Sequence, residues 1–270
     1  MSFIVEACEH GSAAGRASLI LYASDGWSRL AGWQARYQMR WNKDSADTCV
    51  KDMLAFVLAR AGLKLEVVSQ SALITAYCPE FTINPGSDGK TAIARLLSFV
   101  PDAIFIEGHK AYLVNPLADD EPVYAYTCPQ GTAGSHPIIE GRYRIQALEH
   151  NRIQVEGYDD IAEEAIVAES FAWDEVNRVY DRLERIEDNN INDLAGAQAH
   201  GQACLRQAEM AAADGLIKVP VNCGKQLYDV IEISDGRAVL EASRKRLLGI
   251  ALDYNPGRGQ YRQRLRLGAV

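Results

Sequence analysis

The C-terminal segment, residues 219–270, constrains the fold more than any other part of the chain. It contains three runs typical of β-strands, which are separated by turn-forming residues, and the last run ends at Val270. The segment contains no nucleophile signature, metal-ligand set or phosphate-binding loop. The pattern therefore predicts the closing strands of an antiparallel β-barrel, and it favours an assembly protein over an enzyme.

The composition indicates a folded chain of one large or two ordinary domains in its 270 residues. Its net charge of −8 lacks the basic field that a duplex-DNA binder normally carries. No apolar run is long enough to span a bilayer, and the N-terminus has no signal-peptide pattern, so we expect folding in a cytoplasm. The six cysteines form no C-x-x-C pair, which favours free thiols over disulfides or a zinc site. We expect no metal and no cofactor.

Residues 1–43 predict N-terminal β segments of a partial barrel. A β-like run at 17–23 leads into the turn formers at 24–26, and a second run at 31–41 alternates with the period of a strand. One predicted face of this second run carries Trp33, Ala35, Tyr37, Met39 and Trp41. The arginines on the other face indicate a solvated sheet surface rather than a nucleic-acid site.

Residues 44–117 predict a small α+β domain. A helix over 45–61 with Ser45 as its N-cap is followed by a strand, and a second helix runs over 89–100. A β-hairpin over 103–114 completes the unit.

Residues 118–270 predict a second β-barrel module with a helical insertion. The stretch 118–142 is rich in turn formers, and a hairpin is expected around residues 149–151. Apolar residues at helical spacing then predict a helical hairpin over 171–214, after which strands resume at Ile217. The fold class is therefore α+β, with antiparallel split β-barrel modules, a small α+β domain and a helical-hairpin insertion.

Several motifs resemble known sites without matching them. The segment 86–91 lacks the first glycine of a phosphate-binding loop and is better explained as a helix N-terminal turn with Ser87 as cap. Asp188, Asn190 and Asn192 have calcium-loop spacing, but Asp193 replaces the required glycine, which favours a turn between two helices. The carboxylate pairs and isolated histidines select no catalytic set. We therefore assign no catalytic, metal or cofactor residues.

Two groups of residues are candidates for interfaces. Arg262, Arg264 and Arg266 alternate along the final strand, which predicts a one-sided basic stripe that is either a solvated face or one that lines a channel or docks an acidic partner. Trp173 and Tyr180 share a face of the predicted helical hairpin, where we expect them to pack on the barrel or on a neighbouring protomer.

The order of these elements resembles that of phage tail hub proteins of the late control protein D type. The resemblance rests on the segments TAIARLLSFVPDAIFIEGHKAYL, SHPIIEGRYRIQALEHNRIQVEG and FAWDEVNRVYDRLERIEDNN, on the terminal strands, and on the PEFTINPG stretch at 79–86. It covers the chain from about residue 44 to its end.

The resemblance implies a virion structural protein of the tail hub or baseplate, which joins the tail tube to the tip as a homo-oligomeric ring, usually a trimer. It implies tube-like β-barrel domains, partners among the tube, tip and tape-measure proteins, transient contact with DNA in a lumen, and assembly in the bacterial host cytoplasm. A second class stays open at this point: a ligand- or glycan-binding module, or a hydrolase whose residues converge only in three dimensions.

Overall fold

The computed structural model describes residues 3–42, 48–129, 134–144, 146–159, 162–188 and 190–270. Strands make up 43% and helices 23% of the structure, so the chain belongs to the mixed α+β class, as predicted. The chain divides into two compact units, Met1–Asn115 and Pro116–Val270.

The first unit opens with a long antiparallel hairpin. Strands β1 (Ile4–Ala13) and β2 (Arg16–Ser24) form a sheet of their own. Ala14 and Gly15 join them with φ angles of 51° and 74°, the two positive values that a tight hairpin turn of this kind requires. Nearly every residue of both strands is exposed, and β2 confirms the strand predicted at 17–23.

The remainder of the first unit is a small α+β body around one core. Its elements are α1 (Trp27–Gly32), β3 (Met39–Trp41), α2 (Val50–Arg60), β4 (Lys64–Val67), α3 (Leu73–Ala76), β5 (Phe81–Ile83), α4 (Gly89–Leu97), β6 (Ala103–Glu107) and β7 (Lys110–Val114). Strand β7 lies between β4 and β6, and β3 pairs with β5. The apolar stripe of α2 supplies fully buried side chains, among them Met53 and Leu54.

Two predictions in this unit need correction. The strand expected over 31–41 is mostly absent, because α1 occupies Trp27–Gly32 and only Met39–Trp41 is extended in a ladder. Between them the chain crosses the loop before α4, where the Ala35 amide donates to the Ser87 carbonyl oxygen at 3.0 Å. Tyr37, expected on the apolar face, is 78% exposed.

The start of α2 also differs from the prediction. The helix begins at Val50, and the predicted cap Ser45 lies outside the described residues. Cys49 takes the N-cap position instead, where its backbone amide and its thiol both donate to the Asp52 carboxylate.

The second unit is built on a seven-stranded sheet in the order β10–β14–β17–β16–β15–β8–β9. Its strands are β8 (Tyr124–Cys128), β9 (His136–Pro137), β10 (Glu140–Tyr143), β14 (Ala213–Pro220), β15 (Val230–Asp235), β16 (Leu240–Asn255) and β17 (Gln260–Gly268). One face buries an apolar cluster that includes Ile217, Ile233, Leu247, Leu265 and Leu267. A short 3₁₀ turn, Pro256–Arg258, joins β16 to β17.

The two edge strands of this sheet belong to one segment, because only Ile138 and Ile139 separate β9 from β10. The Ile138 amide donates to the Thr127 carbonyl oxygen of β8 at 3.2 Å. The Ile139 amide donates to the Lys218 carbonyl oxygen of β14 at 2.9 Å. A single segment thus contacts both ends of the strand order. The stretch 118–142, expected to be mostly loop, contributes β8, β9 and the start of β10.

A three-stranded sheet with one covering helix completes the second unit. It contains β11 (Arg152–Asp159) between β12 (Glu164–Phe171) and β13 (Leu183–Glu187), with the short helix α5 (Trp173–Arg178) and the longer α6 (Leu194–Ala211). Helix α6 packs against one face of the sheet and buries Ile153 and Val155. We call residues 149–214 the acidic module, because aspartates and glutamates far outnumber arginines and lysines there.

The helical hairpin predicted over 171–214 is wrong in its first half. Helix α5 stops at Arg178, and the chain then forms β13, which pairs in parallel with β11 from Leu183 to Glu187. Apolar residues at 3–4 spacing are also compatible with a short strand, and pairing with a strand 30 residues away decides between the two. The hairpin expected around 149–151 is also wrong, since β10 pairs with β14 and β11 with β12 and β13.

Candidate assembly surfaces

The predicted alternation of the last strand is present. Gln263, Leu265 and Leu267 are buried on the inner face of β17, whereas Arg264 and Arg266 are exposed on its outer face and Arg262 is half-buried. Because β17 pairs with β14 on one side and β16 on the other, the arginine stripe runs down the middle of the sheet rather than along an edge.

Further cations lie beside this stripe on the same outer face. Lys218 of β14 is directly opposite Arg264, and Arg142 of β10 is opposite Leu216, one strand further out. We call these five residues the basic band; they are Arg142, Lys218, Arg262, Arg264 and Arg266.

The basic band is only partly neutralised by acidic neighbours. One Glu140 carboxylate serves two cations, with its oxygens 3.6 Å from Arg142 Nε and 3.6 Å from Lys218 Nζ. Asp253 lies 2.9 Å from Arg264 Nε. Arg262 lies opposite Asp253 in the ladder, but Asp253 pairs with Arg264, and neither Arg262 nor Arg266 forms an ion pair with a described residue. Five cations against two carboxylates leave this face positive in a chain of net charge −8.

The β1–β2 hairpin carries an apolar face that no described residue of its own unit covers. Opposed residues in the register share a face, and Val5, Leu19 and Leu21 fall on the same one, each 56–57% exposed. Ala17, Ala23 and Cys8 continue it. Since a two-stranded sheet also leaves one backbone edge of each strand unpaired, this hairpin is poorly suited to stand alone in water.

Trp173 and Tyr180 are both exposed, at 61% and 60%. Trp173 stacks on Phe171 with ring centroids 4.3 Å apart, and the Arg152 guanidinium lies 5.2 Å from the Phe171 ring centroid. The Arg182 guanidinium carbon lies 4.6 Å from the centroid of the Tyr180 ring. Neither aromatic packs into a core of the described residues, so of the two predicted options, packing on a neighbouring protomer stays a prediction.

Buried Asn151 brings these two aromatics to the same end of the three-stranded sheet. Its side-chain amide donates to the Tyr180 carbonyl oxygen at 2.7 Å, and its side-chain oxygen accepts from the Arg182 amide at 2.8 Å. Its backbone carbonyl accepts from the Ala172 amide at 3.0 Å. One fully buried residue therefore fixes both segments that carry the exposed rings.

The fold is that of solved phage and prophage tail proteins. The tail protein from Neisseria meningitidis MC58 is similar with a TM-score of 0.72 and 14% identity, over 99% of this chain and 79% of that one. The 43 kDa tail protein of prophage MuSo2 from Shewanella oneidensis has a TM-score of 0.64 at 12% identity, over 98% and 76%. Prophage tail protein gp18 from Listeria monocytogenes EGD-e has a TM-score of 0.60 at 12% identity, over 98% and 76%.

These similarities concern the fold, because the sequence identities are low. No protein-family model matches the sequence, and no curated protein matches it either. Within the described ranges, no helix is long and apolar enough to cross a membrane.

A polar cluster lies at the inner face of the seven-stranded sheet. Buried Lys225 donates to Gln263 Oε1 at 2.9 Å and lies 4.7 Å from the centre of the Tyr126 ring. Burial lowers the pKa of Lys225 to about 8, against a smaller opposing effect of Asp229, and burial raises the pKa of Tyr126 to about 12. The lysine is occupied by these contacts, and we assign it a structural role.

The motifs that resembled ligand sites have structural roles. Asp88, rather than Ser87, caps α4, accepting a hydrogen bond from the Thr91 amide at 2.8 Å. Asp188 Oδ1 accepts from the backbone and side-chain amides of Asn190, which confirms a turn built on an aspartate, although it joins a strand to a helix. Among the described residues, no three potential ligands gather as a metal site.

Sequence reasoning found the arginine stripe but missed Lys218 and Arg142. Their place beside it depends on the sheet order, in which β14 lies next to β17, more than forty residues later, and β10 lies next to β14. The missed acidic module had a local signal. Residues 149–214 hold sixteen aspartates and glutamates against five arginines and lysines, a net charge of −11.

Proposed function

We propose that this protein is a virion structural component of a phage or prophage tail. In this proposal it acts at the hub or baseplate, where a homo-oligomeric ring, a trimer in the simplest case, joins the tail tube to the tip. Its role is non-enzymatic, its place is the virion tail, and its partners are copies of itself and the tube, tip and tape-measure proteins.

The observation that carries this proposal is the shared fold. Three tail proteins from three different bacteria match 98–99% of the chain, so both compact units, and not one widespread motif, are common to them. A domain of general use would be expected to match proteins of many functions over part of its length.

The β1–β2 hairpin supports assembly on physical grounds. Each copy offers one free β1 edge and one free β2 edge, together with the apolar face that includes Val5, Leu19 and Leu21. A head-to-tail contact in which β1 of one copy pairs with β2 of the next satisfies both edges, and a closed ring leaves none exposed.

The second unit supports a split barrel. The segment 136–143 pairs first with β8 and then with β14, which are separated by three strands in the sheet order. Its bridging hydrogen bonds from Ile138 and Ile139 bring the two ends of the sheet to one segment. In the proposal this segment closes the barrel, so that the basic band lies outside and the apolar cluster inside.

Sedimentation equilibrium of the full chain tests the role of the hairpin. Leu19→Glu/Leu21→Glu places two charges on its apolar face, and we expect the assembled mass to fall toward the 29.7 kDa of one chain. The control Tyr37→Glu/Val68→Glu makes the same change at two exposed apolar residues outside the hairpin, and its mass should not change. An unchanged mass in the hairpin variant would remove the hairpin from the proposed ring.

The alternative class, a ligand- or glycan-binding module or a hydrolase, stays a prediction from sequence. No observation in the described part of the chain favours it over the assembly role.

A further inference from the structure

The second unit contains segments of opposite net charge. The acidic module carries −11, whereas the parts of the chain that form the seven-stranded sheet, 116–148 and 215–270, hold twelve lysines and arginines against nine acids. The total of −8 therefore hides a strong asymmetry, because almost all of the excess acid lies in one module of about 66 residues.

The face of the three-stranded sheet that α6 leaves open carries three glutamates, Glu156, Glu169 and Glu187, against two arginines, Arg152 and Arg185. Glu156 of β11 and Glu187 of β13 are directly opposite each other in the parallel register, so their side chains share this face. Like charges in directly opposed positions destabilise a sheet. Neither glutamate has a cation in contact among the described residues, and both are at least partly exposed.

The other residues of this open face suit a protein partner. Val167 lies opposite Glu156 on β12 and is 48% exposed, while Tyr158 and Leu183 are 41% and 39% exposed. Arg152 is occupied by Glu169 at 2.6 Å and Asp181 at 2.8 Å, which leaves Arg185 as the cation nearest to the glutamate pair along β13. The face combines exposed apolar area with a glutamate pair that has no cation in contact among the described residues.

We infer that the basic band of one copy docks on the glutamate pair Glu156 and Glu187, on the open face of the three-stranded sheet, in a second copy. Both surfaces are exposed within one copy, so neither covers the other there. The contact joins two different surfaces and is therefore heterologous, and a contact of this type propagates from copy to copy and closes into a ring when its rotation permits. This inference rests on the proposed function, and it adds to the hairpin contact a second contact between neighbouring copies, with its residues and its polarity.

The choice of partner follows from charge. Arg262 and Arg266 form no ion pair among the described residues, although Asp253 lies opposite Arg262. Glu156 and Glu187 have no cation in contact there either, so each pair can supply the opposite charge to the other. Complementary charges of this kind fix orientation and register in an interface, and opposed like charges suppress wrong pairings. A ring held in this way should weaken with salt, because interactions between exposed charges are screened over about 10 Å at 0.1 M ionic strength.

Charge reversal with restoration tests the inference. Light scattering measures the mass of the full chain between low and high salt. We expect Arg262→Glu/Arg266→Glu and Glu156→Lys/Glu187→Lys each to weaken association at least tenfold at low salt. The variant with all four changes, whose net charge equals that of the native chain, should recover the assembled mass. Circular dichroism and thermal unfolding establish that each variant is folded.

The control and the contrary outcomes separate this inference from the proposed function. Arg36→Glu/Lys90→Glu makes the same change in net charge on exposed residues of the first unit and should assemble normally. Assembly that ignores salt and both reversals, or folded reversals that do not recover when combined, would overturn the charge contact and leave the ring standing. A native chain that is monomeric under every condition would overturn both.

Discussion

The Arg246 guanidinium donates a hydrogen bond of 2.9 Å to Asp120 Oδ2 and is 1% exposed at its side chain. It also donates to the carbonyl oxygens of Tyr228 at 2.8 Å and Leu117 at 2.6 Å. Burial lowers the pKa of Arg246, and the hydrogen bond to Asp120 opposes this shift. One charged side chain thus ties the start of the second unit to its sheet.

Removal of either partner should have unequal effects. Asp120→Ala leaves a buried charge without its carboxylate and should cost about 3–5 kcal/mol of unfolding free energy. Arg246→Met leaves a half-exposed carboxylate that water can solvate, and should cost about 1–3 kcal/mol for the carbonyl groups that lose a donor. Urea unfolding measures both, and the double variant should be more stable than Asp120→Ala alone. The opposite order would contradict this account of the pair.

Asn151 should be among the least tolerant residues of the acidic module. Asn151→Asp keeps the shape of the side chain but replaces the amide that donates to the Tyr180 carbonyl oxygen with a buried carboxylate oxygen. Because two acceptors then face each other, we expect the free energy of unfolding to fall by about 3 kcal/mol or more. Asn177, which is exposed on α5, offers a control: Asn177→Asp should change stability by less than about 0.5 kcal/mol. Equal effects of the two substitutions in urea unfolding would disprove the role of Asn151.

The stability should decrease below neutral pH partly through His200. Burial lowers its pKa, with a smaller opposing effect of Asp188, so the folded chain binds a proton less readily than the unfolded chain, whose value is near 6.5. Stability is then unaffected above pH 6.5 and falls as the pH drops below it, by at most about 1.4 kcal/mol per pH unit for one proton. The free energy of unfolding of His200→Gln should decrease less between pH 7 and 5.5 than that of the native chain. Identical pH profiles of the two proteins would rule out a contribution of His200.

Lys225 should make the free energy of unfolding depend on pH in a higher range than His200 does. Its folded pKa is about 8 against 10.5 for the free side chain, so between these values the unfolded chain holds a proton that the folded chain has released. Stability should therefore rise with pH from about 8 to 9.5, by roughly 1 kcal/mol per pH unit. Lys225→Met should remove this rise, and a rise that persists in the variant would assign it to another group.

The sequence identified elements whose signals are local. The alternation of β17 placed Arg264 outside and Leu265 inside. Helix α4 begins at Gly89 and the β6–β7 hairpin spans 103–114, as predicted, although Asp88 rather than Ser87 caps α4. The strand β13 was missed because its burial depends on β11, which supplies a partner from Arg152 onward. Propensity and spacing in 183–187 do not contain that information.

The candidate surfaces also separate into those with a local sequence signal and those that depend on the pairing of distant strands. The arginines of β17 were visible because they lie on one strand, whereas the opposition of Glu156 to Glu187 exists only after two distant strands pair in parallel. The exposed face of the β1–β2 hairpin was likewise out of reach, since its sequence, rich in leucine and isoleucine, is equally typical of a buried strand.

Electron microscopy of the purified full chain at low salt tests the central claim most directly, because it shows whether copies of this chain close into a ring. We predict particles with one closed rotational symmetry, three-fold in the simplest case, whose mass is a whole multiple of 29.7 kDa. Single 29.7 kDa particles at every concentration, or open filaments without closed rings, would contradict the account.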